Sequence, residues 1–121
     1  MSISVVNIKD KLSKIDELHK YKRIARMNEV DFKLVRMKRE FIWHKHPETD
    51  EVFMFIDGSL QIHLRNKTLH LEKGEMVVIS KGVEHKPASQ SECKILLIEP
   101  AKTVNTGHAG GEMTDSDVEW I

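Results

Sequence analysis

Trp43-His44-Lys45-His46-Pro47-Glu48-Thr49-Asp50-Glu51-Val52-Phe53 is the stretch on which the reading of this chain turns. Residues two apart on a strand point to one face, so His44 and His46 project together. Pro47 has no N–H to give a sheet ladder and ends that strand. The next strand starts near Glu51, which shares a face with Phe53 and Phe55. Asp57-Gly58 reads as a turn, and an even-length hairpin across it pairs Glu51 with Leu64, Phe53 with Ile62 and Phe55 with Leu60. Glu51 then sits in the apolar lining of an interior, where an unpaired carboxylate is costly. A divalent cation held jointly with His44 and His46 supplies the missing partner. The same parity sends His63 to the opposite face with Gln61 and Arg65, unless a three-residue bulged loop reverses it. Glu48 and Asp50 compete as the carboxylate, but both stand in the turn, where acidic residues serve local hydrogen bonds.

A second cluster, Gly74-Glu75-Met76-Val77-Val78-Ile79-Ser80-Lys81-Gly82-Val83-Glu84-His85, runs an apolar strand into a Lys-Gly turn and emerges with a histidine. His44, His46, Glu51 and His85 together offer three imidazoles and one carboxylate. That donor set suits one divalent transition metal (Fe, Mn, Ni, Zn or Co) and leaves open positions in an octahedral arrangement. Calcium and magnesium prefer all-oxygen cages and fit less well. His19, His70 and His108 read as surface residues, and Cys93, opening the last strand, as a structural thiol. Phe41 and Trp43 read as core or mouth packing.

Around these clusters the chain breaks into short strands: 22–27, 31–38, 41–46, 51–57, 60–65, 68–71, 76–79, 84–88 and 94–99. Turn residues such as Asn66-Lys67 and Lys73-Gly74 separate them. That spacing points to a sandwich, jelly roll or barrel, and no helical pattern lies between strands to make a βαβ unit. Before the strands, Ile8, Leu12, Ile15 and Leu18 recur at helical intervals, so a short N-terminal helix over about 8–20 is expected, capped by Asn7. The barrel occupies about 22–99. From 100 to 121 an extended tail turns polar and glycine-rich, then closes on Val118, Trp120 and Ile121, which pins its end. Strands such as Met76-Val77-Val78-Ile79 are apolar on both faces and need an outer covering by a helix, a tail or a second subunit; we read this as favouring a homodimer, with domain swapping or a folded-back tail serving equally well.

One domain accounts for all 121 residues. Nineteen basic and nineteen acidic residues cancel, which argues against nucleic acid and anionic membranes as partners. One cysteine excludes a disulfide framework and any multi-cysteine metal cage. No run of about eighteen apolar residues spans a bilayer, and the N-terminal stretch lacks a signal-peptide pattern; a cytoplasmic protein is expected.

The order His44-x-His46-x4-Glu51-x6-Gly58 resembles the first motif of the cupins, and that spacing selects Glu51 over Asp50. Gly74-x7-Gly82-x2-His85 resembles the second. The resemblance implies an all-β fold, the double-stranded β-helix or jelly-roll barrel, with the metal inside. Lys81-Gly82-Val83-Glu84-His85-Lys86-Pro87 and Thr103-Val104-Asn105-Thr106-Gly107 further resemble a subgroup of small cupins labelled mannose-6-phosphate-isomerase-like, with no established substrate. The chain departs from the family pattern in three places. Lys38 and Arg39 stand where a glycine usually precedes the first histidine pair, Ser80 replaces the proline of the second motif, and Ser89 its terminal asparagine.

The leading expectation is a small metal-dependent enzyme of dioxygenase or isomerase type, acting on a small oxygen-chelating molecule. The competing one is a non-catalytic barrel that binds or senses a small molecule. No separate general base stands out: Tyr21, the only tyrosine, precedes the barrel. Arg36 and Lys38 share the parity of the histidines, but a break near Arg39-Glu40 resets it, so a phosphate-binding lining is not expected.

Overall fold

Short alternating strands dominate the computed structural model, which describes residues 3–121. Helix α1 (Ile8–Ser13) precedes β1 (Lys22–Met27), β2 (Val30–Met37), β3 (Glu51–Asp57), β4 (Leu60–Leu64), β5 (Thr68–Leu71), β6 (Met76–Ile79), β7 (His85–Ala88), β8 (Cys93–Pro100) and β9 (Glu119–Trp120). They form a six-stranded sheet in the order β6-β3-β8-β2-β1-β9 and a three-stranded sheet in the order β5-β4-β7. Between them Val35, Met37, Phe53, Phe55, Ile95 and Leu97 of the large sheet meet Leu60, Ile62 and Leu71 of the small one, a contiguous core. This is the all-β jelly roll expected, and the odd-numbered residues of β2, β3 and β8 are the ones that face inward.

The hairpin pairing of Glu51 with Leu64 does not form. Although consecutive, β3 and β4 lie in different sheets: β3 pairs with β6 and β8, with Glu51 opposite Ile79, while β4 pairs with β5 and β7. Gly58 is the crossing point, at φ +98°. A Cβ there would run into the Glu92 carbonyl and lie 2.8 Å from the Cys93 Cα. Only glycine lets the chain pass so close to the start of β8 and step between the sheets. The face assignments survive because each strand keeps its own alternation. Glu51, Phe53, Phe55, Leu60 and Ile62 are buried, and His63 lies outside the core with Nδ1 2.9 Å from the Thr68 hydroxyl.

Two elements are shorter than expected. The helix ends at Ser13 instead of running to 20, although Asn7 does cap it by accepting from the Asp10 N–H at 2.9 Å. Continuation would need the His19 N–H on the Ile15 carbonyl. The sheet takes both groups instead: Arg36 Nη1 donates to the Ile15 carbonyl at 2.5 Å, and the His19 N–H donates to the Arg36 carbonyl at 2.7 Å. Leu12 and Ile15 are buried against Ile24, Leu34 and Leu96 on the outer face of the large sheet, while Ile8 and Leu18 stay exposed. Segment 41–46 forms no strand. It touches β7 only through isolated bridges, Glu40 with Ala88 and His44 with His85, which are out of register by one residue.

Beyond β8 the tail crosses the barrel as a strap. Thr106 is fully buried, with its hydroxyl 2.6 Å from that of Thr114; Asn105 donates to the Met113 carbonyl and accepts from the Asp115 N–H. Asp115 in turn accepts from the Tyr21 N–H at 2.9 Å. The end is pinned as expected: β9 runs parallel to β1, Val118 packs on the core and Ile121 on the outer-face cluster. Among the described residues no helix is long and apolar enough to cross a membrane.

Replacing Gly58 with alanine forces both the positive φ and the collision with β8. The expected outcome is a loss of roughly 2 kcal/mol or more, seen as a lower urea midpoint with an unchanged slope. A midpoint equal to that of the parent would show that the sheet crossing does not depend on this glycine.

Candidate metal centre

The site is built on one backbone pairing. The His44 N–H donates to the His85 carbonyl at 3.0 Å, and the His85 N–H returns the bond to the His44 carbonyl at 2.8 Å. Residues paired this way in an antiparallel bridge send their side chains to the same side, and the two imidazoles lie 4.2 Å apart between centroids. His46, two residues on, is anchored by its carbonyl, which accepts from the Gly82 N–H at 2.9 Å. Glu51 enters from the first position of β3.

Each of His44, His46, Glu51 and His85 offers a ligand atom, and these atoms lie within 4.8 Å of one another. All four residues are buried, His85 completely. Nδ1 of His44 sits 3.0 Å from the Ile42 carbonyl, and Nδ1 of His85 sits 2.9 Å from the Val83 carbonyl. A carbonyl only accepts, so each Nδ1 carries the proton and each Nε2 keeps its lone pair for the interior. Phe41 and Phe53 stand edge-on to His44 and His85 and hold the rings in place.

The donors lack sufficient partners among themselves. Nε2 of His46, Nε2 of His85 and Oε1 of Glu51 are buried without a hydrogen bond. Glu51 lies 3.5 Å from His46 Nε2 and 3.3 Å from His85 Nε2, contacts at the outer edge of hydrogen bonding. Buried lone pairs left unpaired are costly. A cation at their centre satisfies all of them together, and the donor set of three nitrogens and one carboxylate fits a divalent transition metal. Burial, helped by the neighbouring His85, lowers the His44 imidazole to about 4, so it is neutral and ready to ligate at neutral pH.

Sequence reasoning missed a buried polar chain behind Glu51. Glu99, from the inward side of β8, lines the same small cavity as Glu51, and Lys33, from the inward side of β2, reaches Glu99 Oε1 at 3.0 Å. Lys33 also donates to the Thr103 carbonyl of the strap at 3.2 Å. Burial and the Glu51 charge push the Glu99 carboxyl well above the usual range. Burial would raise Glu51 as well, but its contacts with Glu99, His46 and His85 outweigh it and hold Glu51 low. The two carboxyls are thus pushed in opposite directions, and Glu51 is the one that ionises more readily, toward the donor cluster. The signal was present in the alternation: Lys33 shares parity with Val35 and Met37, and Glu99 with Ile95 and Leu97. Arg36, of the opposite parity, points outward and pairs with Glu92 at 2.8 Å.

Tyr21, set aside as preceding the barrel, lines the interior beside His44, Glu51, Glu99 and Asn105. Burial and the two carboxylates raise its phenol above the ordinary value. The cavity among these groups leaves about 10 Å³ for the centre of a water molecule, room for one. Over His46 a groove of about 260 Å³ opens to the surface between Pro47–Thr49 and Lys102–Val104. Gly107, at φ +55°, closes its far side: a Cβ there would collide with the Lys45 carbonyl and lie 3.2 Å from His46 Nδ1. His63, His70 and His108 stay outside the cluster; His108 instead accepts from the Lys45 N–H. His19, half-buried, accepts from the Lys38 N–H, Trp43 faces outward under the Arg65 guanidinium, and Cys93 is fully buried.

Known proteins share this architecture. Over 88 residues the chain is 30% identical to the uncharacterized protein YdbB of Bacillus subtilis (strain 168), covering 72% of this chain and 78% of that one. The crystal structure of a cupin-2 domain containing protein from Shewanella frigidimarina NCIMB 400 superposes with a TM-score of 0.78 at 50% identity, over 79% of this chain and 94% of that one. Protein NMB1881 from Neisseria meningitidis does so with a TM-score of 0.73 at 30% identity, over 80% and 99%. The family model for the cupin domain matches residues 33–99, a span that begins at Lys33, ends at Glu99 and contains every donor of the cluster. By sequence match and by fold, the chain belongs to the cupin domain family.

Proposed function

We propose that this cupin is a small metal-dependent enzyme in which His44, His46, Glu51 and His85 hold one divalent transition metal, iron, manganese, nickel, zinc or cobalt. The observation that carries the reading is the convergence of four buried donors whose lone pairs have no adequate partners within the protein. Three neutral imidazoles and one carboxylate leave a divalent centre with a charge of about +1, which favours an anionic or enolisable oxygen ligand. A bound ion supplies Lewis acidity for isomerisation or, if it is iron, oxygen chemistry of the dioxygenase type.

The protein's own groups define what reaches that centre. The groove over His46 carries Glu48 and Lys102 in its lining, and the separate inner cavity beside His44 and Glu51 admits very little beyond one water. The substrate is therefore compact, with one or two oxygens in position to chelate. Phosphate is poorly matched to the inner cavity, whose lining includes the carboxyls of Glu51 and Glu99 and no arginine or lysine. This argues against carrying a sugar-phosphate substrate over from the mannose-6-phosphate-isomerase-like subgroup. Glu99, whose carboxyl is pushed upward by burial and the Glu51 charge, and Tyr21 both line the inner cavity beside Glu51. These are the groups available to take up or return a proton near the cavity.

Protein purified without a histidine tag should contain, after loading, about one transition-metal ion per chain, and thermal unfolding should shift upward with added metal. His46→Ala and Glu51→Ala should lose most of the metal and the shift while remaining folded. Metal content as low in the parent as in both variants, after loading with excess ion, would sink the metal-site reading.

Iron-loaded protein should consume oxygen with at least one member of a panel of small diols, thiols and hydroxy acids, or the manganese, nickel or zinc form should isomerise one. Activity should disappear in His46→Ala. Saturable binding of a panel member without turnover in any metal form would instead make the chain the non-catalytic barrel, in which the small interior senses a ligand without transforming it.

A further inference from the structure

Among the described residues, five buried side-chain nitrogen or oxygen atoms lack a hydrogen bond. Four belong to His46, Glu51, His85 and Glu99, at the metal centre or behind it; the fifth is Nε of Arg39. The chain's other four arginines each pair with a carboxylate: Arg23 and Arg26 with Asp31, Arg36 with Glu92, and Arg65 with Glu84. Arg39 makes no such pair among the described residues. A cation with a buried, unbonded nitrogen is costly, and packing alone does not call for one.

Its neighbours are neutral. The guanidinium lies over the Phe41 ring at 5.1 Å. His19, at φ +69°, is held with its N–H on the Arg36 carbonyl and its Nε2 accepting from the Lys38 N–H. Burial and the Arg39 charge both keep that imidazole from protonating. A left-handed backbone at a residue other than glycine persists only where the surroundings enforce it, and it often marks a functional site. Tyr21 is the third neighbour: burial, Glu51 and Glu99 raise its phenol, and the Arg39 charge opposes them.

These contacts locate Arg39 against the metal centre. Phe41 stands edge-on to His44 with ring centroids 5.3 Å apart, so the two contacts, end to end, put the guanidinium carbon at most about 10.4 Å from the His44 ring centre. Tyr21 lines the inner cavity with His44 and Glu51 and also feels Arg39. Arg39 therefore stands on the Tyr21 side of that cavity, outside its lining.

We infer that Arg39 anchors a carboxylate of the substrate, which makes the oxygen-chelating molecule a short hydroxy or oxo acid. The planar guanidinium grips both carboxylate oxygens outside the cavity, and the hydroxyl or oxo oxygen passes Tyr21 toward the donor cluster. A chain of about three or four carbons covers the distance between them. The negative end never enters the space occupied by the carboxyls of Glu51 and Glu99. The chelating end of this substrate rests on the metal reading above; the anchor is tested without it.

Calorimetric titration with 4-hydroxybutyrate and with 1,4-butanediol, which differ only in the acid group, tests this on zinc-loaded parent, Arg39→Gln and Arg39→Lys. The parent should bind the acid at least about tenfold more tightly than the diol. Arg39→Gln should lose about tenfold or more for the acid and less than about twofold for the diol. Arg39→Lys, which keeps the charge but not the fork, should fall between them. All three should retain the parent's zinc content and circular dichroism. A parent that does not prefer the acid overturns the inference, as does an Arg39→Gln variant that keeps the preference or loses acid and diol alike. Butyrate titrated into metal-free parent and metal-free Arg39→Gln separates the anchor from the metal reading. A parent that takes up no zinc yet binds butyrate through Arg39 sinks the metal site alone. Zinc taken up by a parent indifferent to both acids sinks the anchor alone.

Discussion

The reciprocal pair of backbone hydrogen bonds between His44 and His85 is the constraint from which the rest of the site follows. It stitches the irregular segment before Pro47 to the first residue of β7. It also sets two imidazoles side by side with both Nδ1 atoms turned to local carbonyls. Each ring is fixed in tautomer and direction before any ligand arrives. Such preorganisation has a cost: three buried donor atoms on His46, His85 and Glu51 lack hydrogen bonds. A fold that only needed a core would have placed leucines there. Holding lone pairs dry and convergent makes physical sense when a cation completes them.

Behind that cluster the protein invests a second set of buried polar groups, and their arrangement explains how Glu51 stays charged in an apolar lining. Glu51 is held low while burial and the Glu51 charge push Glu99 upward, and Lys33 supports Glu99 from the neighbouring strand. Because Lys33 also binds the Thr103 carbonyl, the chain of contacts runs from the donor cluster to the strap. The strap then brings Gly107 against His46 and Asn105 against the inner cavity. Residues beyond the stretch that defines the family are thus mechanically tied to its centre. The mouth over His46 is shaped in part by Lys102–Val104 and Gly107, which lie beyond that stretch.

Much of this was legible in the sequence, because alternation is a local property. Glu51, Phe53 and Phe55 could be assigned to the interior from their spacing alone, and the assignment held even though the hairpin used to extend it was wrong. Strand pairing is a long-range property. Nothing within 51–64 tells that Gly58 must pass beside Cys93, more than thirty residues away, and so carry β4 into the other sheet. The helix failed for the same reason. Ile15 and Leu18 continue a helical period, but the groups that end the helix are on Arg36. Tyr21, Lys33 and Glu99 were overlooked for a different cause. A tyrosine ahead of the barrel and charged residues near strand ends read as surface, and only the opposing strand shows that they are enclosed.

The division of labour between the two faces of the large sheet is the last consequence of that alternation. On β3 the odd positions present Glu51, Phe53 and Phe55 to the cavity, while the even ones present Val52, Met54 and Ile56 outward. A strand with one wet face would have polar residues at 52 and 54. Apolar side chains on both faces call for a cover on the outer one, and Leu12, Ile15 and Ile121 of the same chain supply it over Leu34 and Leu96. The N-terminal region covers part of the outer layer, and the remainder lies at β6, beside an edge with no protection. A metal site tolerates little movement of its ligands, and Glu51 sits on the strand that joins β6 to the centre of the sheet. Covering the outer face stiffens the strand whose inner face carries the carboxylate.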